Sequence, residues 1–325
     1  MDKPVTILIP FRNEEKYLPK CLSAVFGQDY KNFEIILVDG MSNDRSREII
    51  ADFTIKYPNL SVYDNKKINA AAGLNIGIEK SHGEIVIILG AHSEISPDFV
   101  SKNAYYLERT GADVVGGALK TIGKGYFGEC VALVLSSPFG TGSKFRYTNS
   151  AQFVDTVAFG AYRRKILNKV GLFDEKIPRA EDLEYNHRII TAGGKIYLHP
   201  DIRAVYYCRN DLFGFVKQGF ANGYDVIRSF FNNVNSVSLR HLIPVSFVFS
   251  LFVLAVLFPF SRIARLLFIY ELGAYFIITI FFSIQISLRN GLKYLPILPV
   301  TILLLHLSYG MGSLFGISSL SWLKK

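Results

Sequence analysis

Cysteine is scarce in this chain: Cys21, Cys130 and Cys208 are the only three among 325 residues. They stand far apart, without the close spacing of a metal site, so neither a zinc knot nor a disulfide framework organises the fold. They read as reduced thiols of a cytoplasmic domain. The opening residues, Met1-Asp2-Lys3-Pro4, carry no apolar signal region, and nothing there points to secretion. Acidic residues are few, with 27 Asp and Glu against 36 Lys and Arg for a formal net charge of +9. That excess suits an anionic partner, either a phosphate-bearing substrate or an acidic membrane surface. Long apolar runs are missing upstream of Leu242. The apolar core at 131–135 is far short of the roughly 20 residues a bilayer requires.

From Leu242 onward the sequence turns nearly all apolar, which raises the mean hydropathy to +0.25. Three spans are expected, at 242–260, 266–288 and 294–317, each long enough for a hydrocarbon core of roughly 30 Å. Basic residues flank both sides of these spans, so the loops set no orientation. The spans lack the internal repeat of a transporter, which argues against that class. Glu271 and His306 fall inside spans, where ionisable groups serve packing or contact a lipid phosphate. Upstream, 211–234 mixes Phe213, Phe215, Phe220 and Phe230 with Lys217, Gln218 and Arg228. It reads as a helix in the membrane interface or as a helix docked on the globular part. The expected division is 1–210 for the globular domain, 211–240 for the amphipathic region and 241–325 for the membrane part.

The first part alternates. Strands are expected at 5–9, 33–38, 60–63, 86–89 and 113–117, with helices between them, at 45–57 and 69–80 among others. This order implies an α/β fold built on a mostly parallel, doubly wound sheet. Residues 86–89 are all apolar, as in a strand covered on both faces. Further on, 123–146 is rich in glycine around its short apolar core and reads as a buried helix or a lipid-facing surface. Residues 153–157 look strand-like, 162–170 a short basic helix and 195–198 a last strand. A further helix opens near Glu181-Asp182 and closes at Gly193-Gly194.

Ligands of such sheets sit beyond the carboxyl ends of the strands. The polar groups falling there are Arg12 and Glu14 after the first strand, Asp39 after the second, and His92 and Glu94 after the fourth. His92 and Glu94, two apart, are residue types that ligate Mg²⁺ or Mn²⁺ on a diphosphate, the imidazole favouring Mn²⁺. Asp39 is a hydrogen-bond acceptor for a base or ribose. Glu181-Asp182 is the best candidate base, although acids at a helix start are also favoured by the helix dipole.

These pieces in this order resemble family 2 glycosyltransferases of the GT-A fold. The resemblance lies in Ile9-Pro10-Phe11-Arg12-Asn13-Glu14-Glu15, Val38-Asp39-Gly40-Met41-Ser42-Asn43-Asp44, Ala71-Ala72-Gly73-Leu74-Asn75-Ile76-Gly77-Ile78 and Glu181-Asp182. Within that family the chain is most similar to membrane-attached, succinoglycan-type (ExoA-like) enzymes. The segments carrying that likeness are Ser137-Pro138-Phe139-Gly140-Thr141-Gly142, Val154-Asp155-Thr156-Val157, Arg179-Ala180-Glu181-Asp182-Leu183-Glu184 and His306-Leu307-Ser308-Tyr309-Gly310.

The resemblance implies inverting transfer from a nucleotide-sugar, usually a UDP-sugar. Pro10, Arg12 and Glu14 would border the nucleotide, Asp39 would hold base or ribose, and Asn75 and Gly90 join the donor set. Gln218 would close over the diphosphate. Asp182 would deprotonate the acceptor hydroxyl, and Glu181 would orient it or touch the acceptor. Gly90-Ala91-His92 stands where the family carries Asp-x-Asp, so both carboxylates are replaced; Glu94 is placed to compensate. The expected partners are the donor, a lipid-linked saccharide and membrane lipids, with no nucleic acid. The expected setting is the plasma membrane, multi-pass, with the catalytic domain on the cytoplasmic side. Alternatives are a polyprenyl-phosphate glycosyltransferase, whose phosphate acceptor needs no base, and a catalytically degenerate scaffold.

Overall fold

A computed structural model describes residues 3–177, 181–232 and 239–323. In chain order the elements run β1 (Val5–Phe11), α1 (Leu18–Phe26), β2 (Phe33–Asp39), α2 (Ser46–Lys56), β3 (Leu60–Asp64), α3 (Ala70–Lys80), β4 (Ile85–Ile88), β5 (Ser93–Ile95) and α4 (Phe99–Thr110). There follow β6 (Val114–Ile122), α5 (Gly125–Leu135), α6 (Lys144–Tyr147), β7 (Gln152–Phe153), β8 (Ala158–Arg163), α7 (Arg164–Val170), α8 (Glu181–Thr191) and β9 (Ile196–Tyr207). The chain ends with α9 (Leu212–Asn232), α10 (Leu239–Leu257), α11 (Arg262–Asn290) and α12 (Leu298–Leu323). Two compact units result: Met1–Lys120 with Ser143–Tyr207, and Thr121–Gly142 with Cys208–Lys325.

The first unit is built on a mixed sheet in the order β3-β2-β1-β4-β8-β6-β9-β5, with β7 beside β9. β1 to β4 are parallel, with Val5 opposite Phe33 and Ile85, and Ile35 opposite Leu60. β8 then runs antiparallel to β4 and β6, and β5 antiparallel to β9. Side chains from β1, β2 and β4 are buried on both faces. One face packs on Leu18, Leu22 and Val25 of α1 and Phe99 and Leu107 of α4. The other packs on Leu74 and Ile78 of α3, Ile166 and Leu167 of α7, and Tyr185 and Ile189 of α8. The doubly wound arrangement follows from those unbroken apolar strands, which need cover on each side.

The antiparallel half departs from the sequence expectation. Tyr162, expected to start a helix, lies in β8, and the helix starts two residues later at Arg164. β8 reads Ala-Phe-Gly-Ala-Tyr-Arg, small residues without strand periodicity, and its order comes from pairing on both edges. Residues 93–95, expected as loop, form β5 against Ala204–Tyr206, which extends β9 well past the expected 198. Residues 121–142, expected within 1–210, group with the C-terminal helices instead. Their helix α5 buries Cys130, Val131 and Val134, so of the two readings the buried helix is the one observed.

In the second unit three helices are long and apolar enough to cross a membrane: Arg240–Leu257, Arg262–Asn290 and Leu298–Ser319. They shift the expected spans by a few residues at most ends. Glu271 accepts a hydrogen bond from Ser250, and His306 bonds the Phe139 carbonyl through Nε2 at 2.8 Å and the Tyr275 hydroxyl through Nδ1 at 3.0 Å. Both groups are therefore engaged inside the protein. α9, the expected amphipathic segment, docks on α12; residues 233–238 lie outside the described part. The contact is backbone to backbone. A Cβ on Gly223 would fall 1.9 Å from the Tyr309 carbonyl oxygen, and one on Gly312 would fall 2.0 Å from that of Phe220. Gly219 meets Ser308 and Gly223 meets Tyr309 and Ser313, while Gly312 meets Phe220 and Gly316 meets Tyr224, a small-residue crossing of the kind that joins helices in lipid. Gly223→Val is expected to destabilise by about 2 kcal/mol or more, because the obstacle is backbone that cannot turn aside. Thermal unfolding of the purified full chain checks this; an unchanged midpoint would contradict the packing.

Candidate active site

The loops after β1 and β2 are locked to one another. Asn13 N donates to Ser42 Oγ at 2.9 Å, and Asn43 N donates back to Asn13 Oδ1 at 2.9 Å. Glu14 N donates to Ser46 Oγ at 2.9 Å and Glu15 N to Asp44 Oδ2 at 3.0 Å. Asn13 and Met41 take φ of 55° and 59°, the left-handed region that non-glycine residues rarely occupy. This interlocked turn orders the strand ends before any ligand arrives.

Asp39 ends β2 with its side chain fully buried. Oδ1 accepts from Ser42 N at 2.9 Å and Ser42 Oγ at 2.6 Å, and Oδ2 accepts from Arg47 Nε. Arg47 reaches on to Asp64 at 2.6 Å. The two acids hold the guanidinium charged, above its ordinary value. Arg12 is exposed beside Gly40, where an added Cβ would lie 3.3 Å from its own Cβ. Pro10 lies by Gly73, at the start of α3. Asn75 is different: it is buried in α3, donating to Phe173 O at 3.0 Å and accepting from Phe173 N at 2.8 Å. Its amide clamps the segment at 173–175, where Glu175 also accepts from it at 3.3 Å.

At the end of β4, His92 Nδ1 lies 3.2 Å from Glu14 Oε1. A carboxylate only accepts, so the shared proton sits on Nδ1 and Nε2 presents its lone pair, as in imidazoles oriented for a metal. Gly90 lies alongside. A Cβ there would sit 3.4 Å from Phe159 Cε1 and 3.9 Å from His92 Nε2, ordinary contact distances. Neither the space around a Cβ nor the backbone therefore demands glycine at 90. Glu94 is occupied elsewhere: its carboxylate takes Lys20 Nζ and the Tyr207 hydroxyl. Burial alone would raise its pKa, but these two donors outweigh that and hold it below the ordinary carboxylate value. Among the described residues no group of three His, Cys, Asp or Glu side chains gathers to hold an ion. His92 fits a divalent metal as one oriented ligand.

Glu181 and Asp182 open α8. Asp182 is exposed to solvent and accepts from Leu183 N at 2.9 Å. Desolvation by the surrounding protein disfavours its charged form and pushes its pKa above the ordinary value, outweighing the backbone N–H groups that pull the other way. Tyr162 lies within its electrostatic reach and is buried. The Tyr162 hydroxyl donates to Asn186 Oδ1 at 3.4 Å, and Asn186 donates to Thr156 Oγ1 at 2.9 Å. Glu184 pairs with Arg188 at 2.6 Å. Arg179 and Ala180 lie outside the described residues, and Gln218 sits on α9 in the other unit. Sequence reasoning missed Arg47, Lys20, Tyr206, Tyr207 and the Tyr162–Asn186–Thr156 chain. Thr156 alone was signalled, within Val154–Val157.

Residues 6–171 match the sequence model of Glycosyl transferase family 2. The chain belongs to that family. It is a glycosyltransferase. A relative in Methanococcus voltae, dolichyl N-acetyl-alpha-D-glucosaminyl phosphate 3-beta-D-2,3-diacetamido-2,3-dideoxy-beta-D-glucuronosyltransferase, is 33% identical over 94% of this chain and 95% of its own. The succinoglycan biosynthesis protein ExoA of Rhizobium meliloti is 24% identical over 94% of this chain and 92% of its own. Among solved structures, mannosyltransferase PcManGT from Pyrobaculum calidifontis, in complex with GDP-Man and Mn²⁺, superposes with a TM-score of 0.63 at 16% identity. That match covers 97% of this chain and 88% of the other and shows the shared GT-A fold.

Asn75→Ala is expected to lower stability by about 1–3 kcal/mol, because it strips both partners from the buried Phe173 backbone. UDP affinity should stay within about twofold. Calorimetry and thermal unfolding separate the two; a selective loss of nucleotide binding would make Asn75 a ligand contact instead.

Proposed function

We propose that this glycosyltransferase moves a sugar, with inversion, from a nucleoside diphosphate sugar onto a hydroxyl of a lipid-linked saccharide. A UDP-sugar is the first donor to try. The observation that carries the reading is Asp182, a carboxylate of raised proton affinity, exposed to solvent, at a helix start. Asp182 takes the proton of the acceptor hydroxyl; the oxygen attacks the anomeric carbon; the bond to the diphosphate breaks on the opposite face, and the nucleoside diphosphate leaves. Glu181 orients the acceptor. Pro10, Arg12 and Glu14 border the nucleotide. Asp39 acts through Ser42 and Arg47, which it fixes for the base or ribose. A phosphate acceptor would give a base nothing to do, so the environment of Asp182 favours a hydroxyl.

A divalent ion, Mn²⁺ or Mg²⁺, would be held by His92 and, when bound, would supply positive charge to the diphosphate. Glu94, tied to Lys20 and Tyr207, is left out of that ligand set. The lipid-linked acceptor draws support from the dolichyl-linked substrate in the name of the Methanococcus voltae relative. Cytoplasmic placement of the catalytic unit draws support from three buried cysteines, none of them in a disulfide. In this reading the three spans make the protein multi-pass.

Asp182→Asn is expected to cut turnover by about 10²–10⁴-fold while UDP affinity changes little. A transfer assay on the full chain with UDP-sugars and polyprenyl-linked acceptors decides it, and near-normal turnover would shift the assignment to a phosphate acceptor. The base works only when deprotonated, and its pKa is raised. The acid limb of kcat/KM should therefore lie above the ordinary Asp value of about 3.9; a profile flat down to about pH 4 would remove Asp182 from the role. Gly90→Asp should fold normally and make UDP binding more dependent on Mn²⁺; titrations with and without EDTA read this directly.

A further inference from the structure

The short helix α6 carries Arg146, whose guanidinium carbon lies 4.9 Å over the ring of Tyr206. Tyr206 sits in β9 directly opposite Ser93, the residue after His92. Its ring centroid is 5.9 Å from that of His92, edge to face at 64°. Arg146, Tyr206 and His92 therefore form one continuous wall at the end of β4, beside the position where Gly90 lacks a carboxylate. All three are half-buried. The neighbouring acid Glu94 is neutralised by Lys20, and Glu14 turns toward His92, so the local charge at this wall is not dominated by carboxylates.

A family site with two carboxylates compensates a diphosphate through the ion they hold. Here both carboxylates are replaced, by Gly90 and His92, and positive charge is needed from another source. A guanidinium is permanently charged, and its planar fork matches phosphate oxygens two at a time. The face of Tyr206 restrains it, so less freedom is lost when it engages a ligand.

We propose that Arg146 binds the diphosphate of the donor nucleotide beside His92, supplying the charge that position 90 no longer recruits. This rests on the donor-site reading given above. As the sugar leaves, the charge developing on the diphosphate falls within reach of this fixed cation, with no proton to move.

The test is calorimetric titration of the full chain with UDP, and with uridine by competition, in Mn²⁺ and again in EDTA. Arg146→Gln is expected to weaken UDP by about 10–100-fold in both buffers, as loss of a charge-assisted contact does, with uridine unchanged within about twofold. Arg146→Lys should recover part of the loss, and Tyr206→Leu should show a smaller one. UDP affinity unaltered in Arg146→Gln would overturn the assignment. So would an equal loss for uridine and UDP, which marks a damaged fold. Wild-type protein binding neither ligand would sink the donor-site reading itself, an outcome separable from a defect confined to the variants.

Discussion

A strand covered on both faces can carry polar chemistry only where it stops. Ile7 to Ile9, Ile35 to Val38 and Ile85 to Ile87 are almost wholly withdrawn from solvent, so β1, β2 and β4 have no lateral surface to offer a ligand. Their parallel pairing brings Phe11 and Asp39 to the same level, with Leu89 bonded to Leu8 one strand over. The loops after these strands meet because the sheet leaves them no other exit, and the hydrogen bonds between residues 13–15 and 42–46 fix how they meet.

Charge is distributed there with little left unmatched. Asp39 and Asp64 share Arg47, Glu94 holds Lys20, and Glu14 faces His92. Such pairs hold geometry more than they add stability, since partly exposed ion pairs contribute at most about 1 kcal/mol. Asp182 stands apart. Its desolvation costs more than its backbone contacts return, and its proton affinity rises. The other acids are held in pairs, while desolvation is what marks Asp182.

The parallel half was legible in the sequence because its apolar runs are unbroken and its loops carry turn chemistry. The rest was harder to read for identifiable reasons. β8 holds Gly160 and Ala161, whose strand character comes from neighbours on both sides rather than from any pattern of their own. β5 is three residues long and exists only through β9. Asn75 lay in a family motif, yet motif membership does not separate a ligand contact from a clamp on a neighbouring backbone. Gly219, Gly223, Gly312 and Gly316 were visible at helical spacing, but spacing does not say which helix faces which. His92 and Asp182 stood out because strand ends and helix starts are recognisable in sequence; the place of Arg146 was not legible, since it depends on a ring contributed from far along the chain.

The open space beside Gly90 has an evolutionary consequence. A glycine codon can become an aspartate codon through a single base change, and a Cβ at this position meets Phe159 and His92 only at ordinary contact distances. The presence or absence of a carboxylate at this edge is thus one mutational step, taken independently of the scaffold. Lineages can diverge at this single position while keeping the same sheet.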